Sequence, residues 1–252
     1  MRREWRIIAA SSLGGALLAL VVIFEFGAEG LLPLNRSATE KTVHDYLVAH
    51  PDILVDMTNN LQAEQERQTQ EARQKAADKL GTKAFFDPKV AFISGPANAR
   101  TTLVEFFDYN CPFCRASIPA LQKFYAKHKN DARFAFIEFP IKGQESVEAA
   151  HAAIAARKQP GKYVAFHFAL MSEKGYVDAQ TVFDVAKKSG LDIEKLEADM
   201  KDPAIDAQIE AAHKLADAAK IDGTPAFIIN GKMREGAVDD KLLADMTGGK
   251  KG

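Results

Sequence analysis

Residues 104–114 read VEFFDYNCPFC, an apolar and β-prone run that ends on a Cys-x-x-Cys motif. The apolar residues that follow it recur at roughly helical spacing, at Ala116, Ile118, Leu121, Phe124 and Tyr125. The pattern therefore predicts that a strand ends at the cysteines and that a helix begins there. A thiol at a helix N-terminus meets unpaired backbone N–H groups and the positive end of the helix dipole, and both favour the thiolate.

This position predicts different roles for the two cysteines. Cys111, at the start of the helix, is expected to be the nucleophile. Cys114 lies one turn further on, close enough to attack a mixed disulfide at Cys111 and release the substrate. Pro112 suits the first helical turn, where its missing N–H costs nothing. The motif thus predicts a redox-active dithiol.

Three other roles are chemically open to such a pair. A structural disulfide here would restrict the unfolded chain very little, because the loop it closes is so short. A structural zinc site needs four ligands, whereas the chain has 2 cysteines and no His-x₃₋₅-His beside them, so no metal site of that kind is expected. A Cu(I) site needs only two soft thiolates and stays open as an alternative.

Composition limits the choice of partners. The formal net charge of −1 gives no electrostatic case for nucleic acid, so no nucleic-acid partner is expected. Both cysteines belong to one motif, so the fold is not a disulfide-stapled scaffold. The pair is expected to act on the thiols of other proteins, without a cofactor.

Two motifs together carry a family resemblance. EFF at residues 105–107 precedes CPFC at residues 111–114, and GTPAF follows far downstream at residues 223–227. With both motifs in this order, residues 87–250 resemble the DsbA-like branch of the thioredoxin superfamily. The resemblance implies an α/β thioredoxin fold with an inserted helical domain at about residues 144–220, where composition and breakers predict about four helices.

Glu105 is the unusual residue of the predicted strand. A carboxylate in a run of Val and Phe is expected to be buried, with its pKa raised by desolvation, and to take and return the proton of Cys114. The position matches the buried acid of DsbA-like enzymes; the alternative is an edge-strand Glu that faces water. Asp108 and Arg115 are expected to be solvated charges.

Thr224 and Pro225 precede another apolar strand. A proline there can simply mark the start of the strand. In thioredoxin-like proteins the matching bond is cis and lies against the Cys-x-x-Cys, which would let the Thr224 backbone pair with an extended substrate chain. The resemblance therefore adds Thr224 and Pro225 to the substrate-binding residues, with Pro112 and Phe113 between the cysteines. His151 and His167, on predicted helices, are expected to lie apart from the chemistry.

The N-terminus has the pattern of an export segment. Basic residues precede residues 7–24, which carry no charge. Residues 1–30 are therefore interpreted as a membrane anchor or a cleaved signal peptide, with the anchor preferred because the run is long enough to span. Both interpretations place the chain from Leu31 onwards in the periplasm, an oxidising compartment.

Residues 38–82 are predicted to form a helical stalk. Thr39 or Thr42 could cap a first helix that ends at Pro51, and a second helix is predicted from Asp52 to Leu80, roughly 43 Å long. One interpretation is a solvated spacer. The other is an oligomerisation segment at residues 40–80, formed by Val43, Tyr46, Leu47, Leu54, Met57 and Leu61. A resemblance to DsbA-like proteins of the suppressor-of-copper-sensitivity type favours a homo-oligomer, and a trimer in particular, although the heptads fade after Leu61.

These features predict thiol–disulfide exchange on exported, cysteine-containing proteins, with a membrane redox partner. Strongly oxidising relatives typically carry His where this chain has Phe113, and Phe offers the thiolate neither charge nor donor. An isomerase or reductase is therefore preferred, and a disulfide-forming oxidase is the alternative. A Cu(I)-handling thiol protein and an envelope interaction protein that does not use its thiols are the other hypotheses.

Overall fold

The computed structural model describes residues 36–248, in two units that meet between Gln65 and Glu66. The first unit contains α1 (Arg36–Ala49) and the beginning of α2 (Asp52–Leu80). The predicted break at Pro51 is present, but Thr39 and Thr42 lie inside α1 and do not cap it. No residue of α1 is buried. Large apolar side chains of this unit are exposed: Val43, Tyr46, Val48, Leu54, Val55, Met57 and Leu61.

The second unit is built on a five-stranded sheet in the order β1-β3-β2-β4-β5. The strands are β1 (Phe92–Ser94), β2 (Thr101–Phe107), β3 (Ala132–Glu138), β4 (Ala226–Ile229) and β5 (Lys232–Glu235). β2 and β3 are parallel, and the other neighbouring pairs are antiparallel. The central strand β2 is thus the one that leads into the cysteine motif.

Helices cover both faces of the sheet. Beyond α2 they are α3 (Thr82–Phe85), α4 (Pro112–His128), α5 (Gln144–Ala156), α6 (Tyr163–Met171), α7 (Ala179–Lys188), α8 (Ile193–Asp199), α9 (Pro203–Ala218) and α10 (Asp240–Met246). Five of these lie between β3 and β4, where the sequence predicted about four. Asp178, Asp192 and Asp202 cap α7, α8 and α9 by accepting backbone N–H groups, which sets where each helix begins.

Strand alternation sorts the core into two layers. The front face of the sheet carries Leu103, Phe107, Phe134, Phe136, Phe227 and Ile229, which pack with α4 and the helices that follow β3. The back face carries Val104, Phe106, Ala135, Ile137, Ala226 and Ile228, which pack with α3, α9 and Ala77 of α2. Glu105 is opposite Phe136 and Phe227 in the register, so it belongs to the front face, with α4.

Within residues 36–248, none of the helices combines the length and apolar character needed to cross a bilayer. Residues 7–24, where the sequence predicts an anchor or a signal, lie outside the described residues.

Gly95, directly after β1, allows a test of how closely the chain approaches Ala132 at the start of β3. It has a φ of +86°, and a Cβ added there would lie 2.0 Å from the carbonyl oxygen of Ala132. Gly161 has a similar φ of +74° but no atom within 4 Å of an added Cβ. We expect Gly95→Ala to lower the free energy of unfolding by about 3 kcal/mol or more, and Gly161→Ala by only about 1 kcal/mol. Urea unfolding followed by circular dichroism measures both. Equal losses would contradict the close approach at Gly95.

Candidate functional site

The cysteine motif lies at the junction of β2 and α4. Cys111 is the N-cap residue of α4, with extended backbone angles, and Pro112 is its first helical residue. Both cysteines are free thiols and both are buried, whereas Phe113 between them is 64% exposed. The predicted strand-to-helix junction is therefore present, with Cys111 at its turn.

Hydrogen bonds stabilise the thiolate of Cys111. The pKa of the Cys111 thiol is lowered from an ordinary 9.0 to about 5, and the hydrogen bond with the Cys114 thiol is the largest cause. Hydrogen bonds with the Thr224 side chain and with the backbone N–H groups of Phe113 and Cys114 lower this pKa further, while burial of the thiolate raises it. These N–H groups are free because they belong to the first turn of the helix.

The pKa of the Cys114 thiol is shifted in the opposite direction. Burial is the main cause that raises the pKa of the Cys114 thiol, and the hydrogen bond to Cys111 and the charge of Glu105 add to it. A thiolate at Cys111 and a protonated thiol at Cys114 are thus the stable combination of the reduced pair.

The segment before β4 lies against Cys111. The Thr224–Pro225 peptide bond is cis. The Sγ of Cys111 lies 3.0 Å from the carbonyl oxygen of Thr224 and donates to it when the thiol is protonated. The structure thus brings together Cys111 and Thr224, which are 113 residues apart in the sequence.

Glu105 is fully buried in the central strand, so the alternative of an edge-strand Glu facing water is wrong. Neither of its carboxylate oxygens has a hydrogen-bond partner. Desolvation by burial is the main cause that raises the pKa of Glu105 to about 8, and the charges of Glu138 and Cys111 add to it. The carboxyl group therefore exchanges protons near neutral pH.

Asp108 is a correction to the sequence analysis. The residue is buried, and its carboxylate accepts four hydrogen bonds that hold the loop after β2 against the segment after β3. The donors are the backbone N–H groups of Asn110 (2.7 Å), Ile141 (2.7 Å) and Lys142 (2.9 Å) and the Ser146 hydroxyl (2.7 Å).

Arg115 is the second correction, because it is half-buried and bound to backbone. Its guanidinium donates to the carbonyl oxygens of Tyr109 (2.9 Å) and Gly175 and to Oδ1 of Asn110 (3.2 Å). Arg115 therefore ties the start of α4 to the loop before α7.

Sequence reasoning missed a buried polar cluster beside the motif. The Glu138 carboxylate accepts from the Tyr163 hydroxyl at 3.0 Å, and Arg157 lies 3.4 Å away. Tyr109 Oη is 3.1 Å from Nδ1 of His167 and 3.5 Å from Glu138. A carboxylate in an apolar strand is the signal that identified Glu105, and it could also have identified Glu138 at the end of β3.

Burial shifts the acid–base behaviour of this cluster. It raises the pKa of Glu138 to about 8, with Arg157 and Tyr163 acting in the opposite direction. Burial, and then the charge of Arg157, lower the pKa of His167 to about 3. His167 is therefore a neutral side chain packed beside Tyr109, and not a remote helix residue as expected. His151 lies on α5 and pairs with Asp206 at 2.9 Å.

Comparison with known proteins agrees with this geometry. A thioredoxin family model matches residues 87–246. The chain belongs to the thioredoxin family. A second model, described as the copper resistance protein ScsC N-terminal domain, matches residues 36–68. The resemblance predicted from the motifs, a DsbA-like thioredoxin domain with an N-terminal segment of the suppressor-of-copper-sensitivity type, is thereby confirmed.

Solved structures of similar proteins span most of the described chain. A thioredoxin-like oxidoreductase from Silicibacter pomeroyi is 38% identical, over 66% of this chain and 95% of that one, with a TM-score of 0.61. A linker-deletion mutant of Proteus mirabilis ScsC is 25% identical, over 85% and 93%, with a TM-score of 0.63. The thiol-disulfide exchange protein alpha-DsbA2 from Wolbachia pipientis is 27% identical, over 71% and 96%, with a TM-score of 0.64.

Curated relatives include antiporters that are longer than this chain and a shorter interchange protein. An Na(+)/H(+) antiporter NhaA from Herminiimonas arsenicoxydans is 28% identical over 62% of this chain, but the match spans 25% of the antiporter. The thiol:disulfide interchange protein DsbA of Bordetella parapertussis is 26% identical over 52% of this chain and 63% of that protein. The chain thus spans about a quarter of the length of the antiporters it matches.

Glu105→Gln is expected to change how stability depends on pH. The folded-state pKa of Glu105 is raised, so its contribution to stability is fully present below about pH 4.5 and is lost as the pH rises through about 8. Gln carries no such penalty. At pH 8 the reduced variant should therefore have a free energy of unfolding about 4 kcal/mol above wild type, and the difference should vanish near pH 4.5.

Chemical unfolding between pH 4.5 and pH 8 measures this difference. Glu197→Gln, which changes an exposed carboxylate on α8, is the matched control and should follow the wild type. Parallel curves for wild type and Glu105→Gln would show that the buried carboxylate does not titrate as described.

Proposed function

We propose that this protein is a thiol–disulfide oxidoreductase of exported proteins, working mainly as a disulfide isomerase or reductase. The observation that carries the proposal is the divided cysteine pair, in which the pKa of Cys111 is lowered to about 5 and the pKa of Cys114 is raised. Such a pair holds a nucleophile ready at neutral pH while the second thiol waits protonated. The family names of the relatives support the same chemistry.

In the proposed reaction, the Cys111 thiolate attacks one sulfur of a substrate disulfide. The Cys111–substrate disulfide forms, the substrate S–S bond breaks, and the departing substrate sulfur leaves as a thiolate. In isomerisation, a second substrate thiolate attacks the substrate sulfur of the mixed disulfide, a new substrate disulfide forms, and Cys111 leaves as a thiolate with no net electron transfer. In reduction, the Cys114 sulfur attacks Cys111, the Cys111–Cys114 disulfide forms, the Cys111–substrate bond breaks, and the second substrate sulfur leaves as a thiolate, so two electrons pass to the substrate.

Glu105 is proposed to manage the proton of Cys114. A thiol with a raised pKa needs a base before it can attack, and a carboxyl group with a pKa of about 8 can accept a proton near neutral pH. Glu105 lies on the sheet face that packs against α4, and its charge acts on the Cys114 thiol. Neither of its oxygens is bound elsewhere, so both are available to the proton.

Thr224 and Pro225 are proposed to present the substrate, with Pro112 and Phe113. The Thr224 carbonyl already lies at Cys111, so an extended chain paired with this backbone would bring its own sulfur to the same place. Phe113, exposed between the cysteines, offers an apolar contact to such a chain.

The proposed direction follows from how the thiolate is stabilised. In thioredoxin itself the nucleophilic cysteine has a pKa of about 7 and the couple has a reduction potential near −270 mV. In the strong oxidant of the family, this pKa is about 3.5 and the reduction potential is about −120 mV. A pKa of about 5 at Cys111 falls between them, in agreement with a Phe113 that adds no charge. Oxidation of substrate dithiols is the alternative direction.

The N-terminal unit is proposed to join several copies of the chain, three by analogy with ScsC. The match to the ScsC N-terminal domain covers α1 and much of α2. The apolar side chains of this unit are exposed, and burial against other copies would remove them from water. Action on exported proteins further implies a periplasmic location and a membrane partner that resets Cys111.

Cu(I) binding by Cys111 and Cys114 is a second candidate, favoured by the hydrogen-bond proximity of the two sulfurs. The name copper resistance protein belongs to a domain match at residues 36–68, which contain no cysteine, so it does not by itself assign copper to this pair. Competition with a Cu(I) chelator separates this role from exchange.

The exchange proposal is tested by the reduction potential and by single cysteine variants. We expect equilibration with glutathione to give about −200 mV, and wild type to restore activity to scrambled ribonuclease. Cys111→Ser should abolish this activity, because it removes the attacking sulfur. Cys114→Ser should trap mixed disulfides that can be seen on non-reducing gels.

A potential near −120 mV would instead assign the oxidase direction. Retained activity in Cys111→Ser would overturn the proposed mechanism.

Sedimentation equilibrium tests the proposed assembly. A variant with Leu54, Met57 and Leu61 all changed to Lys should be monomeric, because three charges cannot be buried between copies. The control changes Asn59, Gln62 and Ala63 to Lys, which adds the same charge to the other side of α2 and should leave the wild-type mass of several copies. A monomeric wild type would remove the oligomer from the proposal.

A further inference from the structure

Arg73, in the part of α2 that belongs to the second unit, contacts the segment that leads to Thr224. Its Nε donates to the carbonyl oxygen of Lys220 at 2.9 Å, and its Nη2 lies 2.6 Å from Oδ1 of Asp222. Its Nη1 lies 2.5 Å from Oε2 of Glu235. The Arg73 side chain is only 12% exposed and that of Glu235 26%, whereas Asp222 is 81% exposed, so water screens the contact with Glu235 less than the contact with Asp222.

These three acceptors lie on both sides of the cis bond. Asp222 is two residues before Thr224, and Glu235 pairs with Ala226, the residue after Pro225. The backbone N–H of Gly236 also donates to the Pro225 carbonyl oxygen at 3.0 Å. One planar guanidinium therefore connects the segment before Thr224 to the strand that holds the segment after it.

Other residues hold the same part of α2 in place. Gln70 donates to the carbonyl oxygen of Met233 at 2.6 Å. Gln74 donates to the Gly231 carbonyl oxygen and accepts from the Met233 backbone N–H, both at 2.8 Å. These bonds satisfy the outer edge of β5, and they do not involve Arg73. The docking of this helix segment therefore has support that remains when Arg73 is changed.

Arg73 also separates two like charges. Burial is the main cause that raises the pKa of Glu235; the charge of Arg73 lowers it, and the charge of Asp222 raises it. Without Arg73, two carboxylates would face each other with no cation between them. The segment that carries Asp222 would then be free to move away from β5, and Thr224 with it.

We propose that Arg73 is a positioning residue for the substrate segment, which holds the Thr224 backbone at Cys111 so that an extended peptide can pair with it. This inference rests on the proposed exchange function and adds a residue outside the cysteine motif to it. Loss of Arg73 should impair peptide substrates, which need the Thr224 backbone. It should spare a small disulfide, which needs only the Cys111 sulfur.

The experiment uses the full chain in four forms: wild type, Arg73→Met, Arg73→Lys and the control Lys75→Met. Lys75 is exposed on the same helix, so its change removes an equal charge without touching the segment. Hydrogen–deuterium exchange of residues 221–226 reports positioning directly. Steady-state kinetics, with excess reduced glutathione as the two-electron donor, compare hydroxyethyl disulfide with a ten-residue peptide whose single cysteine is linked to glutathione.

In Arg73→Met we expect faster amide exchange at residues 221–226 and a KM for the peptide raised about tenfold, with kcat and the hydroxyethyl disulfide rate unchanged. Arg73→Lys should fall between, because one ammonium cannot serve three acceptors in the fork geometry. Lys75→Met should match wild type.

If Arg73→Met unfolds, Asp222→Asn takes its place, since it removes one acceptor charge on an exposed side chain and should raise the peptide KM in the same direction. Exchange and KM values equal to those of Lys75→Met would overturn the positioning role. A wild type that does not react with hydroxyethyl disulfide would instead overturn the proposed function, and the amide exchange of residues 221–226 would then decide the positioning role alone.

Discussion

The contact between the Cys111 sulfur and the Thr224 carbonyl oxygen joins two segments that lie 113 residues apart, and the remaining features of the site depend on it. It requires β2 to end at the N-terminus of α4, because only there can a sulfur meet both the free N–H groups of the helix and a neighbouring strand. It also requires β4 to lie beside β2, with Ala226 paired to Phe106. The sheet order is thus the constraint that builds the site.

Burial of acids on the front face sets the chemistry at a cost in stability. Glu105 and Glu138 share that face, and each carboxyl group raises its pKa to about 8 by losing its hydration. Glu138 recovers part of the loss through Tyr163 and Arg157, whereas Glu105 has no hydrogen-bond partner. A buried carboxyl group left without partners is unfavourable for folding. The proposed transfer of the Cys114 proton to and from Glu105 would give that unfavourable arrangement a use.

Much of this site could be predicted from sequence because local patterns govern it. The junction at Cys111 follows from an apolar run next to a helical period, and the burial of Glu105 follows from its apolar neighbours. The burial of Asp108 could not be predicted in the same way, since two of its donors, Ile141 and Lys142, are 33 and 34 residues away. The place of His167 depends likewise on the helices after β3 folding back over Tyr109. The breakers in that block predict about four helices and the structure has five, of which α8, with 7 residues, is the shortest.

The stabilisation of the Cys111 thiolate mainly by hydrogen bonds bears on the direction of exchange. A cation between the cysteines would favour the thiolate by direct charge, and would thereby stabilise the reduced pair and make the couple more oxidising. Phe113 supplies no such charge, so the lowered pKa comes from the Cys114 thiol, from Thr224 and from backbone N–H groups. When Cys114 enters a disulfide, its thiol can no longer donate a hydrogen bond to Cys111. This hydrogen bond therefore stabilises only the reduced pair, and it does so less strongly than a neighbouring full positive charge would. Weaker stabilisation of the reduced pair would suit the proposed isomerase or reductase direction, in which wrong disulfides are attacked and released again.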